Sequence, residues 1–198
     1  FAPEQRVIKF SGYPLSGKFF EPEVHIYPVS EFVQMQPDVQ QEVNGLNALI
    51  STHPAILPES IPLLPIMNAA QVFHTRESYL DFQNGSGIAF LTEYAQYAAP
   101  ADNQDLFYTY QALTSDGLYW VSAFLPANIA FLQDTPTSTS VPIEGIPMPD
   151  QNASDFSAKL PGYYSAVTGL MSSASASAYT PDLNCLDAFL QSMTVSAP

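Results

Sequence analysis

One cysteine in 198 residues, Cys185, rules out an internal disulfide framework. Beside Leu183, Leu186 and Phe189 in an expected helix, it reads as a small buried hydrophobe. Bases are almost as scarce: Arg6, Lys9, Lys18, Arg76 and Lys159 stand against 19 acids, giving a formal net charge of -14. Five scattered cations build no patch that could replace the counterions of a polyanion, so nucleic acid and anionic lipid surfaces are excluded as partners. No uninterrupted apolar run reaches about 18 residues, and no membrane span is expected. A basic, apolar-cored signal peptide is also missing, and a first residue Phe1 in place of Met leaves room for an export signal or lipid anchor upstream. Charged residues make up only 12% of the chain, which leaves the polar surface to Ser, Thr, Gln and Asn. That neutral surface points to an extracytoplasmic protein, whether periplasmic, at the cell surface or secreted. Nucleophile elbow, phosphate loop and metal-ligand spacing are all lacking, and no cofactor is called for.

What is present is apolar matter: 46% hydrophobic residues with 13% aromatics, enough for a single folded domain over residues 1–198. Glu23 to Tyr27, ended by Pro28, reads as a strand near an edge, because Pro cannot donate to a ladder. From Pro37 to Ser51, Val39, Val43, Leu46 and Ile50 recur at helical spacing, with Pro37 in the first turn and His53-Pro54 as the stop. A connector follows with Pro54, Pro58, Pro62 and Pro65, of which Ile61 to Met67 is apolar enough to lie on the core. Gln71 to Gln83, Ile88 to Tyr97, Leu106 to Thr114 and Leu118 to Leu125 then form an antiparallel meander. Its reversals are Asn84-Gly85-Ser86-Gly87, where glycine supplies positive φ, and Ser115-Asp116-Gly117. A two-residue loop at Asp116-Gly117 sets Ala112 against Val121 and Tyr110 against Ala123 on a dry face. Leu113 against Trp120 and Gln111 against Ser122 make the other face mixed.

Ala127 to Gln151 turns to Pro, Thr and Ser and reads as an insertion loop. A helix over about 154–172 carries Phe156, Leu160, Tyr164, Val167 and Met171 on one stripe, with a kink expected at Pro161. The last helix, about 181–191, begins with Thr180 as cap, Pro181 in the first turn and Asp182 near the positive dipole end. Met193 to Val195 is expected to return as a short strand. The fold class is thus α+β: a central antiparallel sheet, made of the 71–125 meander plus N- and C-terminal strands, covered by helices.

In layout the run Ile88 to Gln96, the hairpin Phe107 to Leu125 and the ending Leu186-Asp187-Ala188-Phe189-Leu190-Gln191-Ser192-Met193-Thr194-Val195 resemble the Mog1/PsbP-like superfamily. That resemblance covers about three-quarters of the chain and implies an α/β/α sandwich. Tyr79 to Gly87 and Asp116 to Ser122 also resemble uncharacterised bacterial exported proteins and lipoproteins, from which no function follows.

Five constellations are candidates for chemistry. Ser86 sits between glycines, but in a hairpin and without the five-residue elbow, so a turn role is the plainer reading. Strand alternation puts Glu23 and His25 on one face next to Glu21, a weak cation contact set against a solvated edge strand. Asp102, Asn103 and Asp105 are calcium-like in composition but lack the spacing and the bidentate glutamate. Arg76 and Glu93 are brought near each other by the hairpin, on the face of Leu80, Phe82 and Leu91, as a ligand-orienting or structural pair. Trp120, Phe124, Thr109, Gln111 and Ser122 on the mixed face combine aromatic surface with convergent polar groups, as binding sites do and as packed strands also do.

These readings favour a non-enzymatic binding or accessory module, a subunit of an envelope or extracellular assembly, with the protein partner or small ligand left open. The alternative is a hydrolase of small neutral or cationic substrates. A third is a structural subunit whose Pro/Thr/Ser segment wraps a neighbour.

Overall fold

The computed structural model describes residues 2–138 and 146–196. Its centre is a six-stranded antiparallel sheet in the order β1-β2-β6-β5-β4-β3. The strands are β1 (Arg6–Lys9), β2 (Glu23–Pro28), β3 (Ala70–Phe82), β4 (Gly85–Ala95), β5 (Phe107–Thr114) and β6 (Tyr119–Pro126). Four helices join them: α1 (Val29–Met35), α2 (Val39–Thr52), α3 (Phe156–Ser173) and α4 (Leu183–Ser192). Two short strands, β7 (Asn128–Ile129) and β8 (Tyr179–Thr180), pair separately. The chain is therefore α+β, built around the meander β3 to β6. Among the described residues no helix is long and apolar enough to cross a membrane.

Alternation sorts the sheet into two faces. On one, Leu80, Phe82, Ala89, Leu91, Tyr108, Tyr110, Ala112, Val121 and Ala123 join one cluster with Val167 and Met171 of α3 and Leu183, Leu186 and Leu190 of α4. On the other, Tyr27, Ile88, Phe90, Leu113 and Trp120 cluster with Phe32 of α1, Val39, Leu46 and Leu49 of α2, and Ile61 and Leu64 of the connector. The β5–β6 register is the expected one, with Ala112 opposite Val121, Tyr110 opposite Ala123, Leu113 opposite Trp120 and Gln111 opposite Ser122. Gly117 has φ +71° in that turn, where a Cβ would be strained.

Several expectations are corrected. The β3–β4 reversal is Gln83-Asn84, with Phe82 opposite Gly85, so Gly85-Ser86-Gly87 belongs to β4 and not to a four-residue loop. These glycines have no positive φ; they allow close approach to β5, since a Cβ on Gly87 would collide with Ala112 and the Gln111 carbonyl. β2 is interior, because β1, unforeseen in a Gly/Pro-rich leader, covers its outer side. Residues 193–196 form no strand: Val195 is held by the Asn84 side chain, whose Oδ1 accepts its N–H at 2.9 Å. The cap of α4 is Asp182, accepting from Asn184 N, while Thr180 belongs to β8. Cys185 is exposed, being out of phase with the buried Leu183, Leu186 and Leu190. The helices run over 39–52, 156–173 and 183–192, each starting about two residues later than expected, and Pro161 sits inside an uninterrupted α3. The Ala127–Gln151 segment is tied down at its start by β7 and by a bridge from Asp102 to Gln133, and residues 139–145 of it lie outside the described residues.

Candidate functional site

The mixed face ends in a cleft of about 450 Å³ between β2 and the end of the connector. Its position follows from register. Glu23, His25 and Tyr27 share one face of β2, opposite Phe124, Ser122 and Trp120 of β6. α1 and α2 roof the Tyr27–Trp120 end, and the other end is left open to Phe20, Glu21, Pro65, Ile66 and Met67, with Gln5 and Gln36 at the rim.

Phe20 stacks on Phe124 with ring centres 5.1 Å apart and packs against Phe107 at 4.5 Å. His25 lies parallel to Tyr27 at 5.8 Å and edge-on to Phe124 at 5.9 Å. Glu23 bridges two nitrogens: Oε1 is 2.9 Å from Lys9 Nζ and Oε2 is 3.1 Å from His25 Nε2. His25 Nδ1 lies 3.1 Å from the Gln5 amide oxygen. Burial lowers the His25 pKa from its ordinary value against the opposing pull of Glu23. Hydrogen bonding to Glu23 raises that of Lys9. Glu23 orients the ring through Nε2, which makes Nδ1, now facing Gln5, the nitrogen that would act as a base once Gln5 moves aside. No Ser, Thr or Cys is among the described residues lining the cleft. A second hollow of about 360 Å³ adjoins it across Ile66 and Met67 and holds Glu42, Glu59 and Tyr94.

Of the expected aromatic and polar set, only Phe124 lines this cleft. Trp120, Thr109, Gln111 and Ser122 have no exposed surface and form a closed network under the connector. Gln111 Oε1 accepts from Trp120 Nε1 at 2.8 Å and from Leu64 N at 3.2 Å. Its Nε2 donates to Thr109 Oγ1 at 2.8 Å and to Ser122 Oγ at 2.9 Å. Ser122 Oγ donates to the Leu64 carbonyl, and Thr109 Oγ1 to that of Ala123. The amide thus makes four hydrogen bonds, all to the protein itself. The mixed strand pattern is the complement of a proline-rich cover whose backbone no helix or ladder satisfies.

Arg76 and Glu93 share the helix-covered face but form no ion pair. Arg76 occupies a bulge of β3 at φ +57° and donates to the carbonyls of Met171, Ser172 and Ala174 at the end of α3, its guanidinium over the Tyr179 ring. Glu93, 2% exposed, accepts from Asp102 N at 2.9 Å. The two-residue reversal leads to a register in which Phe73 stands opposite Glu93, and Arg76 lies in the irregular stretch between Thr75 and Ser78.

In the Asp102–Asp105 loop, Asp102 Oδ1 accepts from the N–H groups of Gln104 and Asp105, while its buried Oδ2 has no partner among the described residues. Burial first, and Asp105 second, push the Asp102 carboxyl up to about 6; burial, with Asp102 second, raises Glu93 well above its ordinary value. Lys18 bonds Asn103 O and Asn128 Oδ1, and Asn103 Oδ1 accepts from Ile129 N, so the loop is closed by protein groups. No group of three or more His, Cys, Asp or Glu that could hold a metal ion occurs among the described residues.

Sequence reasoning found Glu23 and His25 but set them on a solvated edge strand. Phe20, Tyr27 and Met67 carried no signal tying them to that pair, because the cleft joins segments that only tertiary packing brings together. Compared with family models, curated proteins and solved structures, the chain matches none.

Proposed function

We propose that the chain is an extracytoplasmic binding module, with the α/β/α arrangement of the Mog1/PsbP-like layout, whose ligand enters the cleft beside β2. One observation carries this: the cleft combines rings of Phe20, Tyr27 and Phe124 with the convergent polar groups Glu23 and His25, the composition of a small-molecule site. Its volume falls within the roughly 300–1,000 Å³ of such sites. The low share of charged residues, 12%, and the weight of Ser, Thr, Gln and Asn among the polar ones support action outside the cytoplasm. Fragment screening by NMR, read on the Met67 methyl and the ring signals, tests the site. Fragments are expected to shift these signals and to lose the effect in Phe124→Ala; shifts confined to other regions would overturn the reading.

The Glu23–His25 pair favours a second reading, a hydrolase in which His25 activates water. Turnover of an activated ester that disappears in His25→Ala would establish it over the first, and turnover unchanged by that substitution would reject it.

A further inference from the structure

Lys9 faces Glu23 across the β1–β2 register and is a cation that the protein itself pairs with a carboxylate of the cleft lining. Its side chain is 77% exposed, so little besides Glu23 holds it. The Glu23 side chain is only 19% exposed and stays in the lining, so it is the solvated Lys9 end of the pair that can be exchanged. Glu21 stands next to Glu23 in the lining, and the chain as a whole carries a net charge of -14. An anion would meet repulsion there, whereas a cation would be drawn in. Aromatic side chains suit the same guest, because ring faces attract ammonium groups and ring edges pack on an apolar body. His25 Nε2 holds Glu23 Oε2, which leaves Oε1 as the oxygen for an incoming N–H donor.

We propose that the cleft binds a small organic ammonium ion with an apolar or aromatic body, its charged end taking the place of the Lys9 ammonium at Glu23 Oε1. The inference rests on the cleft being the ligand site and goes further by naming the class of ligand. Lys9 is then an internal competitor: it occupies the carboxylate in the empty state and yields to the ligand.

Phenethylamine, its neutral analogue 2-phenylethanol and the anion 3-phenylpropionate serve as probes, with affinity measured by calorimetry and position by the Met67 methyl signal. The amine is expected to bind at least about tenfold more tightly than either analogue, a difference of about 1.4 kcal/mol. Glu23→Gln should abolish that preference. Glu21→Gln, which leaves the Lys9 and His25 contacts in place, should reduce it if the first variant fails to fold. Lys9→Ala should strengthen amine binding, where a merely structural lysine would leave it unchanged. If the neutral or anionic analogue binds as well as the amine, the ammonium assignment is wrong while the cleft survives. If none of the three binds at the cleft, both fall. Weaker amine binding in Lys9→Ala would overturn the competition.

Discussion

One face of the sheet is covered by α3 and α4, the other by α1, α2 and a proline-rich coil, and their buried polar groups differ accordingly. Under α3 and α4 the cover is helical and satisfies its own backbone, so the strands beneath present mostly aliphatic and tyrosine side chains. Under the connector the cover is a proline-rich coil that must find its hydrogen bonds elsewhere, and the strands supply them through Gln111 and Ser122. Buried polarity on the connector side is neutral: the Gln111 network is saturated, and the Tyr79 hydroxyl is the group there without a partner among the described residues. On the helix side it includes the acids Glu93 and Asp102, with one oxygen left without a partner among the described residues. A polar residue in a strand therefore has a meaning that depends on what lies over it.

The largest expected effect is on the connector side. Trp120→Ala removes a fully buried indole and should cost about 3 to 5 kcal/mol in denaturant unfolding. Near-native stability would mean that this face is not the core it resembles. Gln111→Leu strands the Trp120 indole N–H and the Leu64 amide, at about 2 to 4 kcal/mol for two orphaned donors. Tyr110→Phe on the helix side loses a single bond to the Leu80 carbonyl and should cost about 1 kcal/mol. Equal losses in these two variants would erase the contrast between the faces.

The smallest effect concerns the acids and appears as a slope. Asp102, raised from 3.8 to about 6 in the fold, holds its proton where the unfolded chain has released it. Its contribution is complete below the lower value and is lost as pH rises through the upper one, and Glu93 acts in the same direction. Melting temperature is expected to fall between these limits and to fall less steeply in Asp102→Asn. An identical slope in the variant would show that the orphaned carboxyl does not govern it.

The meander was legible because its signals are local. Alternating runs and the turn Ser115-Asp116-Gly117 set the β5–β6 register before any coordinates, and Val167 and Met171 marked the buried stripe of α3. Gly85 and Gly87 misled: glycine between strands signals either a turn or a close approach, and only the neighbouring Ala112 decides which. β1 was not legible, since four residues in a Gly/Pro-rich leader become a strand only by pairing with β2. The cleft was half legible. Glu23 and His25 stood out on one strand face, but their burial depends on β1 and on a connector more than forty residues away in sequence.

From sequence alone came the alternation of two strand faces and the amphipathic helices, properties of residues within a few positions of one another, together with the acidic charge balance. Which face a coil would cover, which acids would be buried, and that Phe20, His25, Met67 and Phe124 would share one cavity were decided by tertiary structure. Burial and hydrogen-bond satisfaction belong to neighbours in space, and those neighbours exist only once the chain has closed on itself.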